Sequence, residues 1–514
     1  MDGAVKGEMA MTDHKQILPT DLKEFLLSLK EGSKVELKSS SELPKSFWET
    51  YSSFSNTDGG LIVLGVKEEE KENTLIGINN PQKALTDLWN LLANDNKVSY
   101  RTINNQDVKT IPIDGKTIIV VQVNEAPDNI KPVYINGKIE NTYIRTGDGD
   151  RKADRNEIAA MLRNAQPGLD ALPISDFTMD DLDPQSILSF KQKVSLRYPK
   201  KHYMEMDNQK FLTEIGLCRR ERGTDKVEVL RGALLCLGKI NAIKEQYPHF
   251  HVDYFNYRGN NSRWTDRVSD DEPSDYEMNL FNFYTIVDEK LRNLLHESFQ
   301  LGQNQLRLPV SNFDETLREC LVNCLVHADY EAGYPATKIE AFNGWFSFFN
   351  PGKMLISKQQ FQLGGDSRPR NEIIMKMFRL LGASERQGFG GSLIYKSAME
   401  NDFRLPELES NLEHTEIRVW DIDLGDSYPN LNSDEKEVLR YVSKSGKALS
   451  ISDICKATSL TYYKVQKAIH VLEEQNVVGK IGNGPATKYA LEVGSAEMFT
   501  QMQIAMDIIR KNFL

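Results

Sequence analysis

The chain has 514 residues, with 63 Lys and Arg against 74 Asp and Glu, which gives a net charge of −11. Hydrophobic residues make up 40% and charged residues 27%, a balance typical of a soluble globular protein, which excludes a disordered chain. The length predicts about three or four domains. The acidic balance excludes a generally basic, histone-like nucleic-acid binder, but it allows a local basic site.

Cysteine content and hydropathy bear on the compartment. The five cysteines are few, odd in number and scattered, which favours a reducing cytosol over a disulfide framework. No run approaches the roughly 18 apolar residues of a membrane span, and the N-terminal sequence MDGAVKGEMAMTDHKQ has no apolar signal region. We therefore expect a cytoplasmic protein with no membrane partner.

The chain divides at two predicted linkers, QPGLDALP and DLGDSYPNLN, and its predicted fold class is α/β multidomain. In chain order the pattern predicts a flexible tail (1–18), an α+β lobe (19–165) and a longer α/β region (175–425). A helix-rich module (431–492) and a last helix (495–514) follow.

Within the α+β lobe, alternating apolar residues predict strands at Val35–Leu37 and Leu61–Val66, with a helix over Phe47–Phe54 between them. Two more segments, 116–123 and 133–145, are rich in β-forming residues. The lobe is therefore expected to be a mixed sheet and helix structure.

Charged residues cluster around the first of these strands. The sequence EGSKVELK places Glu31, Glu36 and Lys38 close together, and the buried strand that follows ends near Glu68. Carboxylate oxygens can hold Mg²⁺ or Mn²⁺, and a lysine can offset charge during phosphodiester cleavage. The alternative is a set of exposed acids paired with Lys34 and Lys38.

The series E-x4-E-x-K, FSNTDGG, GLIVLGV and YIRTGD resembles the Schlafen AlbA-type domain over about residues 20–165. The resemblance implies a metal-dependent site that cuts structured RNA, notably tRNA. It assigns the catalytic and metal-binding acids to Glu31, Glu36 and Glu68, with Lys38 as the accompanying base. Two departures are Glu68, where Asp is usual, and a single lobe where animal nucleases have two. An RNA-cleaving form would therefore dimerise.

A second candidate site lies on the predicted helix ETLRECLVNCLVHADY, where residues spaced four apart share one face. This face resembles the N-box of the GHKL ATPase fold, whose Glu polarises water and whose Asn holds Mg²⁺. Together with NPGK, RPRNEII and ERQGFGG, it resembles the RecG-like, AlbA-linked transcriptional regulators over about residues 170–420. The resemblance implies a GHKL-like α/β sandwich that binds ATP. The implied nucleotide-binding residues are Glu319, Asn323, His327, Asn350, Gly352, Gly388, Gly390 and Gly391.

One of these positions departs from the GHKL pattern. Asn350 replaces the acid that reads adenine, and Pro351 follows it. A degenerate ATPase fold kept as a dimerisation scaffold therefore stays open as the alternative.

Residues 433–492 are predicted to form a winged helix-turn-helix, with Ser433 as the N-cap of its first helix and a Gly-rich wing tip. This segment has nine Lys and Arg against seven Asp and Glu, a net charge of +2 in an acidic chain. We expect its third helix and wing to bind nucleic acid, with a protein contact as the alternative. The candidate binding residues are Tyr462, Lys464, Lys467 and Lys480.

The sequence HFHVDYF places His249, His251 and Asp253 on one strand face, a spacing that a metal site can use. No further ligand is evident nearby. We therefore interpret this segment as a partly exposed strand.

Together these features predict a nucleic-acid-acting protein with RNA or DNA as partner, and the Schlafen resemblance implies that its first lobe is an endoribonuclease that serves in stress or phage defence. Mg²⁺ or Mn²⁺ and ATP are the expected cofactors, and a homodimer or higher homo-oligomer is the expected assembly. The alternative is a non-enzymatic, ATP-sensing, DNA-binding transcriptional regulator.

Overall fold

The computed structural model describes residues 26–492 apart from 28–29, 71, 167, 225, 260–262, 301–312, 334–335, 366–367, 385–387, 446 and 482–486. The predicted tail at 1–18 and the predicted last helix at 495–514 lie outside the described residues. The chain separates into two compact units, residues 1–165 and 166–514. The predicted longer α/β region and the helix-rich module both belong to the second unit.

The first unit is built around a four-stranded sheet. The strands described in this unit are β1 (Val35–Lys38), β2 (Gly60–Leu64), β3 (Val66–Lys67), β4 (Thr74–Leu75), β5 (Val108–Ile113), β6 (Lys116–Val123), β7 (Tyr143–Thr146) and β8 (Gly149–Lys152). Its helices are α1 (Phe47–Asn56), α2 (Pro81–Leu92) and α3 (Arg155–Asn164). The sheet has the order β1-β2-β6-β5, with β1 and β2 parallel and the other pairs antiparallel. The pairs β3–β4 and β7–β8 form separate hairpins.

Both faces of this sheet are buried. Ile62 and Leu64 pack into the core that includes α1, whereas Val63 between them packs into a core on the opposite face, as the alternation of a strand requires. At the start of β2, a Cβ on Gly60 would lie 2.6 Å from the ring of Phe54. Glycine therefore lets α1 approach the strand closely.

The predicted β-rich segment 133–145 is wrong over most of its length. The strand there begins only at Tyr143, and the preceding residues form isolated bridges and a 3-10 turn at Ile139–Asn141. Val133 and Ile135 are nevertheless buried. Their apolar character reflects packing into the core rather than strand pairing.

The second unit contains a larger sheet and most of the helices. Its helices are α4 (Pro184–Arg197), α5 (Asn208–Glu214), α6 (Arg231–Leu237), α7 (Ile240–Gln246), α8 (Leu280–Gln300), α9 (Phe313–His327), α10 (Lys358–Leu363), α11 (Glu372–Leu381), α12 (Gly390–Glu400), α13 (Ser433–Ser445), α14 (Ile451–Thr458) and α15 (Tyr462–Glu474). Its strands are β9 (Cys218–Arg220), β10 (Val227–Val229), β11 (Val252–Asn256), β12 (Asp266–Ser269), β13 (Thr337–Phe342), β14 (Trp345–Pro351), β15 (Glu407–Ser410), β16 (His414–Trp420), β17 (Val478–Ile481) and β18 (Lys488–Leu491). Among the described helices, none has the length and apolar character that crossing a bilayer requires.

The large sheet has the order β12-β11-β13-β14-β16-β15, with β11 and β13 parallel and the other pairs antiparallel. Alternate residues such as Ile339 and Ala341 on β13, and Phe346 and Phe348 on β14, are buried in one core with α8, α9 and α11. Helices thus cover one face of this sheet. The predicted α/β multidomain fold class is confirmed.

Helices α13 to α15 and the antiparallel hairpin β17–β18 follow in that order, and Leu449 bridges to Tyr489 on β18. The N-cap of α13 is Asn432, not the predicted Ser433. The N–H of Glu435 donates to Oδ1 of Asn432 at 3.1 Å, and the N–H of Asn432 donates to the Glu435 carboxylate at 2.8 Å. This reciprocal pair is a capping box.

Candidate functional site

Two of the predicted catalytic acids lie at the open edge of the first sheet. Among the described residues, β1 pairs only with β2 in this sheet, so backbone groups on its other side need different partners. The N–H of Leu37 donates to Oε1 of Glu31 at 3.1 Å. Glu36, one position earlier, is 9% exposed. The edge strand thereby holds Glu31 beside Glu36.

The third predicted acid joins this pair. Glu68 follows β3, and its Oε1 accepts the backbone N–H of Glu31 at 3.1 Å. Burial raises the pKa of Glu31, and the carboxylates of Glu36 and Glu68 add to the rise, while the Leu37 N–H and Lys38 oppose it. The structure therefore brings the three acids together, although their carboxylate oxygens do not all lie within 4.8 Å of one another.

A buried guanidinium organises this site, and the sequence analysis missed it. The side chain of Arg145 on β7 is 3% exposed and contacts Oε2 of Glu36 and Oδ1 of Asp150, each at 2.9 Å. It also donates to the carbonyl oxygens of Gly32, before β1, at 2.7 Å and of Val35, the first residue of β1, at 3.3 Å. Arg145 lies within the quoted motif YIRTGD, and that motif was the only signal of its role.

Lys38 completes the predicted set. Its Nζ contacts Oε1 of Glu36 at 2.5 Å, so each oxygen of this carboxylate has a cationic partner. The three carboxylates are hard oxygen donors, the type that Mg²⁺ and Mn²⁺ prefer. Because Glu31 is half-buried and Glu68 is exposed, a cation can reach both from solvent. The chemical type of these donors fits the divalent metal that the sequence predicts, and the three carboxylates would have to approach one another to share one ion.

In the second unit, α9 carries the predicted N-box residues. Nδ2 of Asn323 donates to Oε1 of Glu319 at 3.2 Å, and burial raises the pKa of Glu319. The predicted Gly-rich turn lies against this pair. A Cβ on Gly390 would lie 1.8 Å from Oε1 of Glu319, and one on Gly391 would lie 2.0 Å from the carbonyl oxygen of Phe361. Glycine at these positions allows α12 to begin beside α9, at Gly390, and beside α10, at Gly391.

Gly388, the first glycine of this turn, has a φ of +79°, a conformation that other residues rarely adopt. Its carbonyl oxygen accepts the N–H of Gly365 at 2.8 Å. The turn is thereby fixed to the segment that follows α10.

The remaining predicted nucleotide residues lie at the C-terminal end of α9. A Cβ on Gly352 would lie 2.9 Å from Cβ of Asp329, and Nδ2 of Asn350 donates to the carbonyl oxygen of Pro351 at 3.1 Å. Burial and the neighbouring Arg370 lower the pKa of His327 to about 4. His327 is therefore about two helical turns along α9 from Glu319, which the Gly-rich turn contacts, and Gly352 lies just beyond that helix end.

Two residues of the RPRN block anchor this end of α9, a role that the sequence analysis did not assign. Nε of Arg370 donates to the carbonyl oxygen of His327 at 3.0 Å. Nδ2 of Asn371 donates to the carbonyl oxygens of Val326 at 2.9 Å and Ala328 at 2.7 Å. Both side chains thus satisfy carbonyl groups that the helix end leaves unpaired.

The side chain of Asn371 makes no capping hydrogen bond to α11, which begins at the next residue. The carboxylate of Asp170 takes that role from the start of the second unit. It accepts the N–H groups of Glu372 at 2.9 Å, Ile373 at 2.7 Å and Ile374 at 3.0 Å. Burial raises the pKa of Asp170 to about 6.

The predicted nucleic-acid residues lie on α15 and β17. Tyr462 is 61% exposed, and Lys467 and Lys480 are also exposed. Nζ of Lys464, in contrast, pairs with Oδ2 of Asp434 on α13 at 2.9 Å. Tyr463 is 74% exposed beside Tyr462 and was not among the predicted residues.

The predicted strand at HFHVDYF is β11, and His251 on its N-terminal side lies between two carboxylates. Its Nε2 is 2.7 Å from Asp253, and its Nδ1 is 2.7 Å from Asp270 on the chain after β12. Asp270 also pairs with Lys244 at 2.8 Å. His251, Asp270 and Asp271 are close enough to hold a metal ion. However, hydrogen bonds from His251 to Asp253 and Asp270 raise the pKa of the imidazole to about 10, so a metal ion would have to displace a proton that both carboxylates hold in place.

Comparison with known proteins gives three family matches. Residues 31–154 match the family described as "Schlafen, AlbA_2", and residues 336–419 match "Putative ATP-dependent DNA helicase recG C-terminal". Residues 159–253 match a domain of unknown function. The predicted combination of a Schlafen AlbA-type domain with a RecG-like ATPase domain is confirmed, and these domains indicate a nucleic-acid-related function. The RecG-like match includes the Gly-rich turn but begins after α9.

No curated protein matches the chain. The crystal structure of the DIP2311 protein from Corynebacterium diphtheriae is similar at 14% sequence identity, over 89% of this chain and 95% of that chain, with a TM-score of 0.38.

Proposed function

We propose that the first unit is a metal-dependent endoribonuclease that cuts structured RNA of the tRNA type. The observation that supports this most is the meeting of Glu31, Glu36 and Glu68 at one sheet edge, within the Schlafen AlbA_2 match. Bound Mg²⁺ or Mn²⁺ would supply an activated water or stabilise the leaving oxygen. Lys38 offsets the charge that develops on the phosphate, and Arg145 keeps Glu36 in place.

Glu68→Gln tests this proposal, because Glu68 is exposed and the substitution keeps its size. In a tRNA cleavage assay with Mn²⁺, we expect the cleavage rate of the variant to fall about a hundredfold. Changing a residue that only supports a metal ligand can already cost this much, and Glu68 is proposed to be a ligand itself. Glu70→Gln makes the same charge change at another exposed position and should cleave like the wild type. A wild type that cuts none of a panel of RNAs would contradict the proposal.

A DNA-binding function is the second candidate. Helices α13 to α15 and the hairpin β17–β18 have the element order of a winged helix. The N-terminal half of α15 exposes Tyr462 and Lys467, and this is the part of a recognition helix that contacts DNA. In this proposal ATP binds at Glu319 and Asn323, and the chain is an ATP-sensing transcriptional regulator. A thermal shift with ATP and Mg²⁺ in the wild type, lost in Asn323→Ala, would support it. No shift in the wild type would favour the degenerate scaffold.

The proposed nuclease is cytoplasmic, serves in stress or phage defence, and assembles as a homodimer or higher homo-oligomer that completes the RNA cleft. Light scattering tests the assembly. A measured mass equal to that of a single chain at every micromolar concentration tested would contradict the proposed assembly.

A further inference from the structure

Two cations share the carboxylate of Glu36, and they are held very differently. Arg145 is 3% exposed, and besides Glu36 it binds Asp150 and the carbonyl oxygens of Gly32 and Val35. Lys38 is 14% exposed, and among the described residues its Nζ contacts Oε1 of Glu36 alone, at 2.5 Å. Moving Arg145 would break its contacts with two carboxylates and two carbonyl groups at once. Moving Lys38 would break one contact.

The side chain of Lys38 can also leave without disturbing the backbone. It is a flexible stem that ends in a single ammonium group, and it stands on the edge strand β1. The ammonium lies near enough to Glu31 to affect the pKa of that carboxyl as well. Lys38 thus places one positive charge among the same carboxylates that suit a divalent cation.

We infer that the ammonium of Lys38 takes the place of the divalent cation at Glu36 and is displaced from it when the cation binds. This inference rests on the proposed metal-dependent function of the same site. Lys38 then has two successive partners: Glu36 in the metal-free protein, and an RNA phosphate once the metal is bound. Because like charges repel, the resident ammonium lowers the affinity of the site for the metal.

Calorimetric titration of the full chain with Mn²⁺ tests the inference. Lys38→Met keeps the length of the side chain and removes its charge, so the variant should bind Mn²⁺ about tenfold more tightly than the wild type. The same variant should cleave RNA more slowly, because the charge that offsets the phosphate is gone. A residue with a purely structural role would not produce tighter metal binding together with slower cleavage.

Three further variants make the titration specific. Lys34→Met removes an equal charge from the turn before β1, where Lys34 pairs with Asp58 at 3.5 Å, and should leave the Mn²⁺ affinity unchanged. Lys38→Arg keeps the charge and should bind Mn²⁺ no more tightly than the wild type. Glu68→Gln should abolish the binding event and thereby assign it to this site. Thermal melting confirms that each variant is folded.

The outcomes separate the inference from the proposed function. If the wild type binds Mn²⁺ and Lys38→Met binds it equally or more weakly, the inference is overturned and the proposed nuclease stands. If neither protein binds Mn²⁺, the proposed metal-dependent function is overturned together with the inference.

Discussion

Arg145 illustrates how single residues define the acidic site. The acids themselves were predicted because Glu31 and Glu36 lie within one short motif. Arg145 is 110 residues from Val35, whose carbonyl oxygen it binds, and the motif YIRTGD that contains it does not show that this arginine is buried against Glu36. Acids within one short motif are thus predictable as a group, whereas the contacts between distant motifs depend on the fold.

Gly390 is a sensitive position in the second site. A Cβ there would lie 1.8 Å from Oε1 of Glu319, so Gly390→Ala must displace either the carboxylate or the start of α12. We expect a loss of about 1–3 kcal/mol in the free energy of unfolding, the usual cost of overpacking. Chemical denaturation measures it. Gly149→Ala, whose Cβ would be 3.8 Å from its nearest neighbour, is the control and should change stability little.

His251 makes the stability of the second unit depend on pH. The hydrogen bonds that its ring donates to Asp253 and Asp270 raise its pKa to about 10, from about 6.5 in an unfolded chain. The stabilisation by the imidazolium is therefore fully present below about pH 6.5 and is lost as the pH rises through 10. The difference in Tm between wild type and His251→Gln should be largest near pH 6 and shrink towards pH 10. A difference that grows with pH would contradict this assignment.

At the scale of elements, the sequence predicted those whose apolar period is long and regular. Helix α1 and strand β6 follow the prediction, because each repeats its pattern over two or more turns or several alternations. The prediction of a strand over 133–145 was wrong because the apolar residues there are buried without being paired in a sheet. The prediction of Ser433 as the N-cap of α13 was wrong because Asn432 and Ser433 are both good capping residues. The reciprocal hydrogen bonds between Asn432 and Glu435 decide between them.

Asp170 should contribute strongly to α11, since it accepts three of the N–H groups that a helix start leaves unpaired. Asp170→Ala is expected to lower the free energy of unfolding by about 1–2 kcal/mol, the cost of losing a helix cap. Asp170→Asn keeps one acceptor oxygen and should lie between alanine and the wild type in urea denaturation. Equal stability of the three proteins would show that the cap is not needed.

Over the whole molecule, the net charge of −11 opposes nucleic acid, so binding must depend on a few local lysines. If α15 binds DNA, Lys467→Ala should weaken binding for all sequences alike and reduce the slope of log K against log salt concentration by about 1. Fluorescence anisotropy over a KCl series measures this. Lys464→Ala should reduce the slope less, because its ammonium is paired with Asp434.

The hydrogen bond between Leu37 and Glu31 has a second consequence for the whole protein. An unpaired strand edge invites the strands of other molecules to add to it, which is a common route to aggregation. Glu31 occupies one outward N–H of β1 and sets negative charge beside it. A residue proposed to take part in RNA cleavage thus also protects the sheet from self-association. A neutral substitution of Glu31, made to test catalysis, should therefore also lower the solubility of the protein.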